Sequence, residues 1–268
     1  MKKRFFGILA ALCLCLTLLP ATALADDNLE PPPNTISSWG ALQTQLDDST
    51  KKVIDATLDK GISWEESSIV IPAGKTVTLN LPDGCNIDAE NSGTAIQVYG
   101  NLIINGNQNG MITQGAATDG SPAGGIYIAP GGRVTMNGGM IANCSAGTQT
   151  ATGVGGVYVS EGATFEMNAG YIAQCSGGNE SNLLGSPHAA SVLNKGTFTI
   201  NNSASIWDSK GGSLFAGIVL YNSGTFNANG GSIGTNSSDN QLVCNANTGT
   251  IQNSGNNTTT IYSTVYNS

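Results

Sequence analysis

Side chains capable of acid–base chemistry are few in the repetitive part of this chain. Between residues 95 and 268 the acids and bases are Asp119, Glu161, Glu166, Glu180, Asp208, Asp239, Arg133, Lys195 and Lys210. Glycoside hydrolysis needs two facing carboxylates, and Ca²⁺ needs several oxygen ligands. When the repeats are aligned, no two acids occupy equivalent positions of neighbouring repeats. The sequence therefore predicts no catalytic residue, no metal site and no cofactor, and gives a bound Ca²⁺ no support.

The lone histidine does not change this prediction. His188 lies beside Pro187 in the longest loop, with no cysteine close by in sequence. Convergence of His188 with Asp119, Glu180 and Asp208 in space would instead favour an enzyme or a metal site.

Aromatic side chains form the second set of candidates. Alternation along the predicted strands directs one group outward: Tyr127, Tyr158, Tyr171, Trp207 and Tyr221. Aromatic rings on a flat sheet face suit stacking on sugars, and Asn, Thr and Ser supply neutral hydrogen bonds. We expect these residues to contact a neutral glycan or a host or cell-surface ligand. The alternative is that these residues have no ligand, because single outward aromatic residues and cross-strand tyrosine pairs are common on sheets.

An asparagine recurs where each alternating apolar segment ends. The five positions lie 32, 31, 33 and 28 residues apart and are Asn105, Asn137, Asn168, Asn201 and Asn229. A period of about thirty residues with short strands predicts a stacked array of parallel strands. We expect each amide to bond to the repeats before and after it, as a structural ladder.

Three short strands are predicted in each repeat, with inward apolar columns. The first column is predicted to be Ile96, Ile128, Val159, Val192 and Leu220. The second is predicted to be Leu102, Val134, Phe165, Phe198 and Phe226. The third is predicted to be Ile112, Ile141, Ile172, Ile206 and Ile233. Cys144 and Cys175 occupy the same position of successive repeats. They are predicted either to stack as free thiols or to form a disulfide. Free thiols are favoured, because a disulfide between directly paired parallel strands is geometrically awkward.

The composition of the sequence predicts four segments along the chain. Residues 1–25 have the charged start, apolar stretch and small-residue cleavage site of a signal peptide. Residues 26–36 form a Pro-rich linker, residues 37–94 an N-terminal cap with the first coil, and residues 95–268 the repeats. Ser37 or Ser38 can cap a short helix whose apolar face is Trp39, Leu42 and Leu46.

The motifs at residues 38–42 and 69–81, followed by repeats such as GGVYVSEGATFEMNAGYI, resemble a known family. They are similar to pectate-lyase-like, right-handed parallel β-helix proteins of bacterial cell surfaces and secretomes. The resemblance implies an all-β solenoid of about six or seven coils with an N-terminal capping helix.

Charge and composition restrict the partners. The formal net charge is −8, and beyond the charged start of residues 1–25 the sequence has no Lys/Arg patch of the kind that neutralises phosphates. We therefore expect no nucleic acid partner and no membrane span; the sequence does not indicate an oligomeric state. The expected function is that of a secreted or surface-associated, adhesin-like bacterial protein, without enzymatic activity, that binds glycans. The alternatives are a polysaccharide lyase or glycoside hydrolase, and a structural module of a surface assembly.

Overall fold

Parallel strands predominate in the computed structural model of the chain. It describes residues 34–118, 121–146, 153–177, 189–207, 209, 218–234, 242–246, 248–253, 259–261 and 264–267. Within these residues the strands form a 14-stranded sheet A and an 8-stranded sheet B, and one helix is present. The chain is therefore an all-β protein built on long parallel sheets.

The strands recur in a fixed order along the chain. Sheet B receives one strand per repeat: β4 (Ile69–Ile71), β7 (Ile96–Val98), β10 (Ile126–Ile128), β12 (Val157–Val159), β14 (Val192–Asn194), β16 (Ile218–Asn222), β19 (Leu242–Asn245) and β22 (Thr264–Asn267). These eight strands pair in sequence order. Seven of them, β4 to β19, are each followed by strands of sheet A, so the described residues contain seven complete repeats and the first strand of another.

Sheet A receives the other strands of each repeat. The longer ones are β2 (Val53–Leu58), β5 (Thr76–Leu81), β8 (Asn101–Gly106), β17 (Thr225–Ala228) and β20 (Thr250–Gln252). Shorter ones follow each of them: β3 (Ile62–Ser63), β6 (Asn86–Asp88), β9 (Met111–Thr113), β18 (Ser232–Ile233) and β21 (Thr260–Ile261). The three middle repeats differ, because their two segments run together as one strand.

The continuous strands replace the two separate strands predicted for these repeats. They are β11 (Arg133–Ala142), β13 (Thr164–Ala173) and β15 (Thr197–Trp207). Their pairing register shifts at the asparagine, where Asn137 lies opposite Ala169. An irregularity of this kind bends a strand without ending it. The asparagine thus marks a bend inside a strand rather than a turn between strands.

Apolar side chains of neighbouring repeats stack in the interior. In sheet A the predicted columns are confirmed: Val134 pairs with Leu102 and Phe165, and Ile141 pairs with Ile112 and Ile172. The rings of Phe165, Phe198 and Phe226 form a further stack, with successive centroids 5.3 Å apart.

The predicted register of sheet B was wrong by two residues in two repeats. Ile96 pairs with Ile126 rather than Ile128, and Val192 pairs with Val157 rather than Val159. Ile128 and Val159 instead extend a column that continues at Asn194. All of these residues are buried. The prediction therefore identified the inward face of each strand correctly and was wrong only about which inward residues pair.

The first strand, β1 (Thr35–Ile36), and the helix α1 (Trp39–Asp47) precede the repeats. β1 pairs with β2, so two residues of the predicted linker belong to sheet A. Ser38 is the N-cap of α1, and its hydroxyl accepts from Ala41 N at 3.1 Å. The predicted apolar face of Trp39, Leu42 and Leu46 is buried. Apolar burial therefore attaches the helix to the start of the stack.

Candidate functional site

Tyr127 and Tyr158 pair across β10 and β12, with ring centroids 5.8 Å apart. Tyr158 is only 9% exposed, because it packs with Val154, Ala189 and Leu193 in a small apolar cluster. The prediction that Tyr158 is an exposed contact residue was therefore wrong.

The flanks of the long loops explain the burial. Val154 pairs with Ala123 and with Ala189 in isolated parallel bridges, so these flanks stack from repeat to repeat. Together with Tyr158 they belong to one apolar cluster, against which Tyr127 and Tyr221 pack partly buried. Burial raises the pKa of the Tyr221 hydroxyl. The loop flanks thus cover part of an aromatic column that the sequence pattern presented as open.

Tyr171 and Trp207 remain accessible on sheet A. Both are partly exposed, and their rings meet edge to face with centroids 6.5 Å apart. Edge-to-face contact is a preferred geometry of aromatic pairs and fixes the position of both rings. Of the five predicted aromatic residues, these two lie on sheet A, and they are partly exposed, as are Tyr127 and Tyr221 on sheet B.

A groove of about 560 Å³ lies beside Tyr171, along the bends of sheet A. Its polar lining residues are Asp83, Asn107, Gln108, Asn109, Asn137 and Ser203. The groove is therefore lined by amides and hydroxyls, with one aromatic ring and one carboxylate.

Glycine forms the base of this groove. Gly139 and Gly170 have φ angles of +82° and +90°, which favour glycine. A Cβ atom on Gly138 would lie 2.3 Å from the carbonyl oxygen of Gly106 in the neighbouring repeat. Close packing of the bent backbones thus requires the absence of side chains at these positions.

A row of asparagine amides follows the same bends. Each side chain donates from Nδ2 to Oδ1 of the preceding repeat, through the pairs Asn201 to Asn168 (2.7 Å), Asn168 to Asn137 (2.9 Å), Asn137 to Asn105 (3.0 Å) and Asn105 to Asn80 (3.1 Å). Asn80 donates in turn to the Asp55 carboxylate at 2.7 Å. Asn229 bonds through its backbone N–H to the Ile200 carbonyl. The outer amide row therefore ends at a charged acceptor.

Sequence reasoning missed a second amide row, which is inside the protein. Asn194 donates to Asn222 and Asn222 to Asn245, both at 2.7 Å, and Asn245 donates to Asn267 at 3.4 Å. Asn194 and Asn222 are fully buried. The available signal was an asparagine at the end of successive sheet B strands, where earlier repeats carry Val or Ile.

All four cysteines among the described residues are free thiols. Cys144 and Cys175 are buried. The Cys175 thiol and burial hold the pKa of Cys144 well above its usual range. A buried, protonated thiol is unreactive. The two thiols therefore belong to the packed interior.

Charged side chains are scattered within the described part of the chain. No group of three His, Cys, Asp or Glu residues suited to a metal occurs among the residues described. Asp119, Glu180, His188 and Asp208, whose convergence would favour an enzyme, lie outside them. The structure also shows, over the same residues, no helix long and apolar enough to cross a membrane.

Comparison with protein-family models, with curated proteins and with solved structures found no match to this chain.

Proposed function

We propose that this chain is a secreted or surface-associated bacterial protein that binds neutral glycans in the groove beside Tyr171. The observation that carries the proposal is a partly exposed pair of aromatic rings, one of which lines a groove together with amides and hydroxyls. Ligand sites commonly combine aromatic surface with a few polar groups that fix orientation. Here the combination matches the alternating apolar and hydroxyl surfaces of a sugar.

The charge of the groove favours a neutral ligand. Asp83 is its one charged lining residue, and none of the residues that line it is Lys or Arg. A polyanionic sugar would meet a carboxylate without a compensating cation. Glycan binding of this kind requires no bond cleavage, and the protein is proposed to act as an adhesin-like binding module.

The fold proposed for this function is a right-handed parallel β-helix with α1 covering its first turn. Support comes from the fixed order of strands, the pairing of equivalent strands in sequence order, and the amide row at the bends. The motifs that resemble pectate-lyase-like proteins agree with this proposal. Export is proposed from residues 1–25, whose composition is that of a signal peptide.

A glycan array tests the proposal. We expect the protein without residues 1–25 to bind neutral glycans, and Tyr171→Ala and Trp207→Ala to lose that binding. Tyr99→Ala is the matched control, because Tyr99 is 44% exposed and does not line the groove. Unchanged binding by the Tyr171 variant would refute the site.

A second assay separates binding from catalysis. The protein is incubated with neutral and uronate polysaccharides, with and without added Ca²⁺, and the products are analysed by chromatography. We expect no release of products. Turnover of any of these polymers would replace the proposed binding module with a polysaccharide-degrading enzyme.

A further inference from the structure

One outward column of sheet A carries three apolar side chains in a row. Met111, Met140 and Tyr171 pair in register across β9, β11 and β13, so their side chains lie on one side of the sheet at the strand spacing of about 4.8 Å. All three are partly exposed, whereas the isoleucine that follows each of them is buried. These three residues are called the Met–Tyr strip.

Polar residues lie at both ends of the Met–Tyr strip. Asn86 pairs with Met111, and its side-chain oxygen accepts from Met111 N at 3.2 Å. At the other end Ser205 pairs with Tyr171, and its hydroxyl bonds to that of Ser232 at 2.6 Å. The strip is therefore a contiguous apolar patch with polar neighbours, an arrangement typical of binding surfaces.

The Met–Tyr strip adjoins the groove. Tyr171 belongs to both, and Met140 directly follows Gly139, which lines the groove. A ligand beside Tyr171 therefore meets amides and hydroxyls on one side and thioether and aromatic groups on the other. Methionine side chains are unbranched and flexible, so they can adapt to the shape of a ligand.

A pyranose sugar matches this pair of surfaces. Its hydroxyl groups lie around the rim of the ring, and its C–H bonds lie on the two faces. A face without an axial oxygen is apolar and can pack on methionine and aromatic side chains while the rim bonds to polar groups. An axial oxygen on the packed face would be buried without a hydrogen-bond partner, which is unfavourable.

From these observations we infer that the Met–Tyr strip is the apolar half of the glycan site and selects neutral pyranosides with a face free of axial oxygen atoms. Met140 and Tyr171 contact that face, and the groove receives hydroxyl groups of the rim. This inference rests on the glycan-binding function proposed above. It adds two contact residues, Met111 and Met140, and the stereochemistry that they recognise.

Methionine methyl groups report this contact directly. The protein without residues 1–25 is produced with ¹³C-labelled methionine methyl groups and titrated with methyl β-D-glucopyranoside, which has no axial oxygen, while NMR spectra are recorded. Methyl α-D-mannopyranoside is the matched sugar, because it has the same composition and one axial oxygen on each face. We expect the glucoside to shift the Met111 and Met140 signals at lower concentrations than the mannoside. Met136 and Met167 are internal controls, because they are fully buried in β11 and β13.

Two variants of the same outward column locate the contact. Met140→Gln keeps the length of the side chain and makes it polar, and we expect it to weaken glucoside binding by about tenfold, the lower end of the usual effect of one apolar group in a binding pocket. Ser232→Ala, beyond Ser205, is the matched control and should bind as the unmodified protein does. Unchanged Met136 and Met167 signals verify that each variant is folded.

The outcomes separate this inference from the function on which it rests. Equal affinities for the two sugars would overturn selection by the strip, and unshifted Met111 and Met140 signals at every sugar concentration would overturn the strip as a contact surface. In both cases Tyr171-dependent binding on the glycan array leaves the proposed function in place. Absence of binding on the array as well would overturn both.

Discussion

One buried charged side chain connects segments that are distant in sequence. Lys75 is buried, and its ammonium group donates to the carbonyl oxygens of Asp48 at 2.5 Å and Lys51 at 2.7 Å. These carbonyls lie just after α1, where the helix dipole favours a cation. One side chain thus connects the helix to sheet A.

Replacing Lys75 tests this connection. We expect Lys75→Met to lower the free energy of unfolding by about 1.5–3 kcal/mol, the usual contribution of hydrogen bonds to a charged group. Urea denaturation measures the loss. Lys60→Met is the control, because Lys60 is exposed; an equal effect at both positions would show that the Lys75 contacts contribute nothing specific.

The Cys144 thiol makes stability depend on pH. Its pKa is raised in the folded protein by Cys175 and by burial, so the unfolded chain loses this proton first as the pH rises. The unfolded state then binds fewer protons, and the free energy of unfolding falls by about 1.4 kcal/mol per pH unit above about pH 8.5. Stability is fully present below that pH.

The measurement is chemical denaturation between pH 7 and 10 under reducing conditions. Cys144→Ala should show a shallower loss of stability than the unmodified protein. Identical slopes for the two proteins would contradict the predicted contribution of Cys144.

At the level of elements, the two amide rows perform different tasks. The outer row follows the bends of β11, β13 and β15, whereas the inner row closes the C-terminal ends of β14, β16 and β19. The inner row continues a column that holds Val98, Ile128 and Val159 in earlier repeats. Hydrogen bonding thus replaces apolar packing in the later repeats.

Interrupting the inner row should be costly. Asn222→Leu removes a fully buried amide and leaves the Asn245 Oδ1 atom without its donor. A buried polar group left unpaired costs about 1–3 kcal/mol, and urea denaturation should show a loss of that size. Asn267→Leu, at the exposed end of the same row, is the matched control with little expected change. A smaller loss at position 222 than at 267 would contradict the ladder.

Sequence reasoning succeeded where the local pattern was long and failed where it was short. The longer strands of sheet A alternate over enough residues to determine both face and register, as for Val134 and Phe165. Each early strand of sheet B has three residues and follows a loop of variable length, so its register depends on contacts between repeats. The burial of Tyr158 and the shape of the groove could not be predicted for a related reason. Both depend on contacts, between loop flanks and between glycine backbones, that form only in the folded chain.

The whole molecule is asymmetric between its two ends. At the start of the stack, α1 buries Trp39, Leu42 and Leu46, whereas in the last complete repeat of the described residues Ile251 and Ile261 are only partly buried. An uncovered strand edge is a template for pairing with another chain. We therefore expect β1, which pairs with the edge of β2, and α1, which covers the apolar face, to protect the first repeat from association.

Removing the helix tests that protection. Deletion of residues 1–50 uncovers the edge of β2 and the apolar face beneath α1, and we expect the shortened protein to form larger species on size-exclusion chromatography with light scattering. Deletion of residues 1–33 is the control and should match the protein without residues 1–25. Equal masses for both deletions would show that α1 has no protective role.

The head-to-tail direction of the outer amide row has a consequence for how such a chain can change in length. Every interior asparagine of the row is at once a donor to the repeat before it and an acceptor for the repeat after it. A duplicated segment of one full period, inserted between two such repeats, restores both bonds at each junction. Tandem duplication could therefore lengthen or shorten the protein by whole repeats without leaving an unpaired amide at the new boundary.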